Sequence, residues 1–107
     1  MRDKARVAAT ILAQLGGGRF IAMVGARDFT YEPNALIFRL PGRFARGGIN
    51  LVRIALDPSD TYTATAYQLT RDYDLRVVDE AAGLFAEDLR PWFTRVTGLD
   101  TRLWPDR

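Results

Sequence analysis

The stretch INLVRIALDPSDTYTATAYQLTRDYDLRVVD, residues 49–79, decides the fold. Val52, Ile54 and Leu56 alternate with Leu51, Arg53 and Ala55, which is the period of a strand with two unlike faces. Asp57-Pro58-Ser59-Asp60 has aspartate first and proline second, as a type I turn favours. Thr61 to Leu69 is rich in threonine and tyrosine, residues that suit a pleated strand. Thr70-Arg71-Asp72 turns the chain again. Tyr73 to Asp79 is then a further strand, contributing Leu75 or Val77 to the core. Strands joined by connections this short pair antiparallel, because parallel pairing needs a long crossover.

The reading extends outward from there. Leu36, Phe38 and Leu40 alternate with Ile37 and Arg39 and form a strand with one face in the core. Pro41 to Gly48 is a loop rich in glycine and arginine. Gly25 to Asn34 reads as a connecting loop and Arg19 to Val24 as a strand. A first helix, capped by Asp3, runs to about Leu15 with Val7, Ile11, Leu12 and Leu15 on one stripe, and Gly16-Gly17-Gly18 ends it. Beyond the last strand, Phe85, Leu89, Trp92, Phe93 and Val96 repeat at helical spacing over about Leu84 to Thr97. Pro91 inside that run kinks or divides the helix, and Gly98 stops it. Leu103 and Trp104 in the tail pack back on the domain.

The expected fold is therefore α+β. It has an N-terminal helix, an antiparallel meander of four to five strands and a C-terminal helix, with the helices on one sheet face. Phe20, Leu36, Phe38, Val52, Ile54, Phe85, Leu89, Trp92 and Phe93 should share one core.

At 107 residues the chain suits a single domain, and its 48% apolar and 26% charged residues fit a folded protein. It has no cysteine, which excludes disulfides and thiolate metal sites, and no histidine, which removes the usual general base and zinc ligand. No apolar run approaches the roughly 20 residues that span a bilayer, and no secretory leader is recognisable, so a cytoplasmic setting without membrane attachment is expected.

Charge is unevenly placed. Residues 1–18 carry a net +2, residues 19–56 a net +4 and residues 57–107 a net −4, with fourteen arginines against one lysine. If Leu36, Phe38 and Leu40 face the core, Arg39 faces away, and Arg53 does so by the same rule. An antiparallel register brings the two together diagonally. The intervening loop adds Arg43 and Arg46 with Phe44 between them. Arg39, Arg43, Phe44, Arg46 and Arg53 thus form a candidate nucleic-acid site, pairing phosphate neutralisation with a stacking ring for a short, non-specific single strand. The competing explanation is an arginine-rich surface that keeps the sheet soluble.

Other constellations are weaker. Gly16-Gly17-Gly18-Arg19 lacks the lysine and hydroxyl of a phosphate loop. Asp57 with Asp60, and Asp72 with Asp74, sit at turns and supply too few oxygens for calcium. Ser59, the single serine, has no activating base. No metal and no cofactor is expected, and the chain reads as a binding module, not an enzyme. The one catalytic version worth testing is a metal-dependent nuclease using Asp72 and Asp74.

The segments ILAQLGG (residues 11–17), RFIAMVGARDF (residues 19–29), Leu40-Pro41, Leu56-Asp57, Asp60-Thr61-Tyr62, Phe93 and Thr97-Gly98-Leu99 with Thr101 and Leu103 carry a resemblance across nearly the whole chain. They resemble a family of small proteins, with no assigned activity, encoded by bacteriophages and other mobile elements. That resemblance implies an accessory protein that binds nucleic acid or blocks a host protein. A protein-binding inhibitor or adaptor, acting on a host or phage protein, is the alternative to nucleic-acid binding. The opposed charges of the two halves also allow a homo-oligomer.

Overall fold

In the computed structural model, which describes residues 5–42 and 44–100, alternation and helical spacing resolve into eight main elements. They are α1 (Arg6–Leu15), α2 (Gly17–Val24), β1 (Arg27–Glu32), β2 (Ala35–Arg39), β3 (Leu51–Leu56), β4 (Tyr62–Leu69), β5 (Leu75–Leu84) and α3 (Leu89–Thr97). The strands pair in sequence order, each antiparallel to the next. This is the α+β meander that residues 49–79 imply.

The two hairpin turns around β4 share one device. Asp60 N–H donates to Asp57 O and Asp57 N–H to Thr61 O, while Tyr73 N–H donates to Thr70 O and Thr70 N–H to Asp74 O. Each loop ends on a residue with positive φ, Asp60 at 66° and Tyr73 at 66°. Aspartate tolerates that conformation, whereas a bulky ring at Tyr73 is strained there.

Leu36, Phe38, Val52, Ile54, Ala64 and Ala66 face one way and join α1, α2 and α3 in a single core. Small residues on β4 leave room for large ones on the helices. Phe20 of α2 meets Phe38 and Phe93 edge-on, at ring separations of 5.4 and 5.0 Å, the geometry that ring quadrupoles favour. Leu89, Trp92 and Phe93 are buried, as the stripe on the last helix predicts.

Four expectations are corrected. Arg19 to Val24 is helical, not a strand. Phe20 and Val24, one helical turn apart, are both buried, and that tertiary gain outweighs the strand preference of the residues. The first helix ends at Leu15 with Gly16 as its cap, as expected, but Gly17 and Gly18 already belong to α2. Gly16, with φ of 129°, breaks α1 from α2, and the two axes are bent by 66°. Gly25 to Asn34 is not a loop but mostly β1. As an edge strand it turns little more than Phe29 toward the core, too little for an alternation to show, and Asp28 at φ 55° makes its register irregular. Finally, β5 continues to Leu84, so α3 begins later than expected. Phe85 is left at the bend, 57% exposed, where its N–H donates to Asp88 Oδ2 at 2.8 Å. Pro91 then falls in the first turn of α3, where backbone N–H groups have no helical partner to lose, and α3 is unbroken.

Asp3, Leu103 and Trp104 lie outside the described residues. Among the described residues, no single helix is long and apolar enough to cross a membrane.

Candidate binding surface

The helices occupy one face of the sheet, and the ladder registers define what stands on the other. Arg39 pairs with Leu51, Leu51 with Tyr67 and Tyr67 with Val77, so one row crosses four strands. The next row runs Ile37, Arg53, Thr65, Glu80. Leu69 and Leu75 pair below them. Ala35 and Ala55 pair above, buried but outside the core cluster. This outer face is acidic at Glu32 of β1, basic on β2 and β3, apolar over β3 to β5, and acidic at Glu80 of β5.

Arg39 and Arg53 stand diagonally on this face, as the alternation implies. Arg53 is paired, its Nη2 lying 3.3 Å from Glu32 Oε1 in a half-exposed bridge. Arg39 Nε is buried and finds no hydrogen-bond partner among the described residues. Arg46 is placed elsewhere. Its Nη1 donates to Arg95 O at 3.1 Å, at the end of α3, where a cation also suits the helix dipole. Phe44 is 73% exposed in the loop after β2, and Arg43 lies outside the described residues. The structure thus brings together two of the five candidate residues, Arg39 and Arg53, and sends Arg46 to the helix layer.

The sequence reading put Leu75 or Val77 in the core. Both are on the outer face, 51% and 61% exposed. The cause is a bulge. Ala66 pairs with Asp79 but Tyr67 with Val77, so Val78 is an extra residue on β5. One inserted residue turns every side chain beyond it to the opposite face. A second irregularity falls at Gly83, whose φ is 69°. Tyr67, a strand aromatic that core packing would ordinarily claim, also stands here: Ala64 and Ala66 face the helices, so Tyr67 faces away. Tyr73, at the hairpin tip beside Leu75, is 84% exposed.

The aspartate pairs serve turns. Asp57 Oδ2 accepts from Thr63 Oγ1 at 2.6 Å, and Asp74 N–H donates to Thr70 Oγ1 at 3.0 Å. Among the described residues, no group of three or more carboxylates could hold a metal ion. A cleft of about 590 Å³ lies on the helix layer between α1 and α3, lined in part by Gln14, Glu87, Arg90 and Arg95. Comparison with protein-family models, with curated proteins and with solved structures finds no match.

Proposed function

We propose that the chain is a non-catalytic protein-binding module that holds its partner on the outer face of the sheet. The observation that carries this reading is the row Arg39, Leu51, Tyr67, Val77, which ends in a side chain 61% exposed. Contiguous apolar side chains open to water mark interaction surfaces, and tyrosine and arginine dominate binding hot spots. Tyr73 adds support. It keeps a bulky ring in a conformation that glycine or asparagine would adopt at less cost, and it exposes that ring at the tip of the β4–β5 hairpin. Such a module fits the accessory role implied by the resemblance to phage-encoded proteins. The reading also puts it in the cytoplasm, a compartment whose reducing conditions a fold held without disulfides suits.

A photo-crosslinking amino acid at Val77 tests this in cells that carry the protein. A protein adduct that disappears when Leu75→Asp is added supports the reading. Absence of any protein adduct at Val77, with adducts at an exposed helix position such as Arg95 instead, refutes it.

A second reading keeps nucleic acid as the partner. Its support is Arg39, whose Nε lacks a partner among the described residues, one row from Arg53 and in the same row as Tyr67. Two guanidinium groups beside an aromatic ring suit a short single strand.

A further inference from the structure

We infer that the partner on the outer face is a second copy of this chain, the two sheets packing face to face about a two-fold axis. The inference rests on the reading of that face as a protein-binding surface, and charge placement selects the partner. Arg39 stands on β2 and Glu80 on β5, Arg53 of β3 is already paired with Glu32 of β1, and Leu51, Tyr67 and Val77 lie between or beside them. A surface that is basic on one flank, apolar in the centre and acidic on the other is complementary to itself when turned over. The axis lies in the interface, parallel to the strands and between β3 and β4. It sets β3 of each copy against β4 of the other, and β2 against β5. Leu51 then meets Tyr67 of the second copy twice, and Arg39 reaches the flank that holds Val77 and Glu80. An isologous contact repeats each favourable pair, as two-fold symmetry requires. Aligned sheets pack this way about 10 Å apart.

The edges of the sheet are poorer routes to the same dimer. β1 and β5 both carry register shifts, and β5 holds Arg76 and Glu80 exposed. Bulges and charges of this kind blunt edge-to-edge pairing. Only the face combines open apolar area with matched charge.

Size sets the strength. Under that axis β2 to β5 overlap, and four strands spaced about 4.8 Å apart and about 20 Å long present a face of about 400 Å² per copy. That is the size of a weak, transient contact, so a reversible dimer is expected.

Sedimentation velocity of the isolated chain, from about 5 to 500 μM in low salt, tests it. The expected result is a concentration-dependent shift from monomer to dimer that weakens with added salt. Val77→Asp and Arg39→Glu should each weaken the dimer at least tenfold. The double variant Arg39→Glu with Glu80→Arg should restore it, because the flanks exchange sign together. Circular dichroism checks that each variant is folded. A chain that stays monomeric throughout overturns the inference, as does a dimer that Val77→Asp leaves intact. A monomer that still crosslinks a different protein at Val77 overturns the second copy while leaving the binding face standing.

Discussion

The side-chain amide of Asn50 grips the backbone of Leu69 on both sides. Its Nδ2 donates to Leu69 O at 3.0 Å and its Oδ1 accepts from Leu69 N–H at 2.7 Å. Asn50 N–H also donates to Tyr67 O. The residue thereby continues the β3–β4 ladder one step before β3 begins at Leu51.

Replacing Asn50 by Ala should destabilise the domain by about 2 kcal/mol, since two hydrogen bonds are lost and two partly buried groups are left open. Asn50→Asp is nearly the same shape but offers no donor to the Leu69 carbonyl. It should be no more stable than the alanine variant. Urea melts decide this; an aspartate variant as stable as wild type would mean that the amide donor is dispensable.

Trp92 is tied to the sheet by a second specific bond, Nε1 to Asp79 Oδ2 at 3.0 Å, just past the bulge in β5. Trp92→Ala removes this bond and a fully buried indole, and should cost about 3–5 kcal/mol. Trp92→Phe keeps most of the apolar volume and should cost less. A loss under about 1 kcal/mol for Trp92→Ala would show that α3 does not pack as described.

These two residues mark how far the fold could be read in advance. The α3 stripe was legible because Leu89, Trp92 and Phe93 share a face however long the helix is. Alternation in 51–56 and 61–69 was legible because one side of each strand is buried. What failed was local in each case. Phe20, Ile21 and Val24 favour strands in isolation, and eight residues are too few for their helical spacing to stand out. The Val78 bulge carries no glycine or proline to announce it, so Leu75 and Val77 were assigned to the wrong face. The Arg39–Arg53 diagonal followed from alternation alone. The partner of Arg46 did not, because a carbonyl forty-nine residues away leaves no trace in local sequence.

Gly25 and Gly17 separate two costs of a side chain. Both have positive φ, 71° and 60°. A Cβ at Gly17 meets nothing within 4 Å, whereas one at Gly25 falls 2.8 Å from the ring of Pro41. Gly17→Ala should therefore cost about 1 kcal/mol for backbone strain alone. Gly25→Ala should cost clearly more, because the proline ring cannot rotate aside. Equal melting temperatures for the two variants would contradict the close approach of the α2 cap to Pro41.

Tyr73 should behave as a residue kept for contact. Tyr73→Gly relieves the strain at φ 66° and should leave stability unchanged or raise it by about 0.5–1 kcal/mol, despite the greater freedom of the unfolded chain. The same change should weaken any partner held at the lower edge of the outer face. A variant that loses stability and keeps its partner would remove Tyr73 from the surface.

A short single-stranded oligonucleotide separates the two functional readings. If Arg39 and Arg53 each neutralise a phosphate, binding falls with salt, and Arg39→Ala with Arg53→Ala lowers the log–log slope by about 1.4, at about 0.7 per contact on a single strand. Tyr67→Ala then weakens binding by about 1–3 kcal/mol, the worth of one stacked base. Arg46→Ala leaves the slope unchanged, because that guanidinium is held at Arg95 O on the helix layer. The protein-binding reading expects none of this, since Arg53 is already paired with Glu32, and Glu80 shares the face and repels a phosphate chain. Fluorescence anisotropy at about 50 mM salt, where phosphate contacts are strong, measures the difference. No binding there sinks the nucleic-acid reading; binding that is lost with Arg39 and Arg53 but retained in Arg46→Ala makes the outer face a nucleic-acid platform and displaces the protein partner.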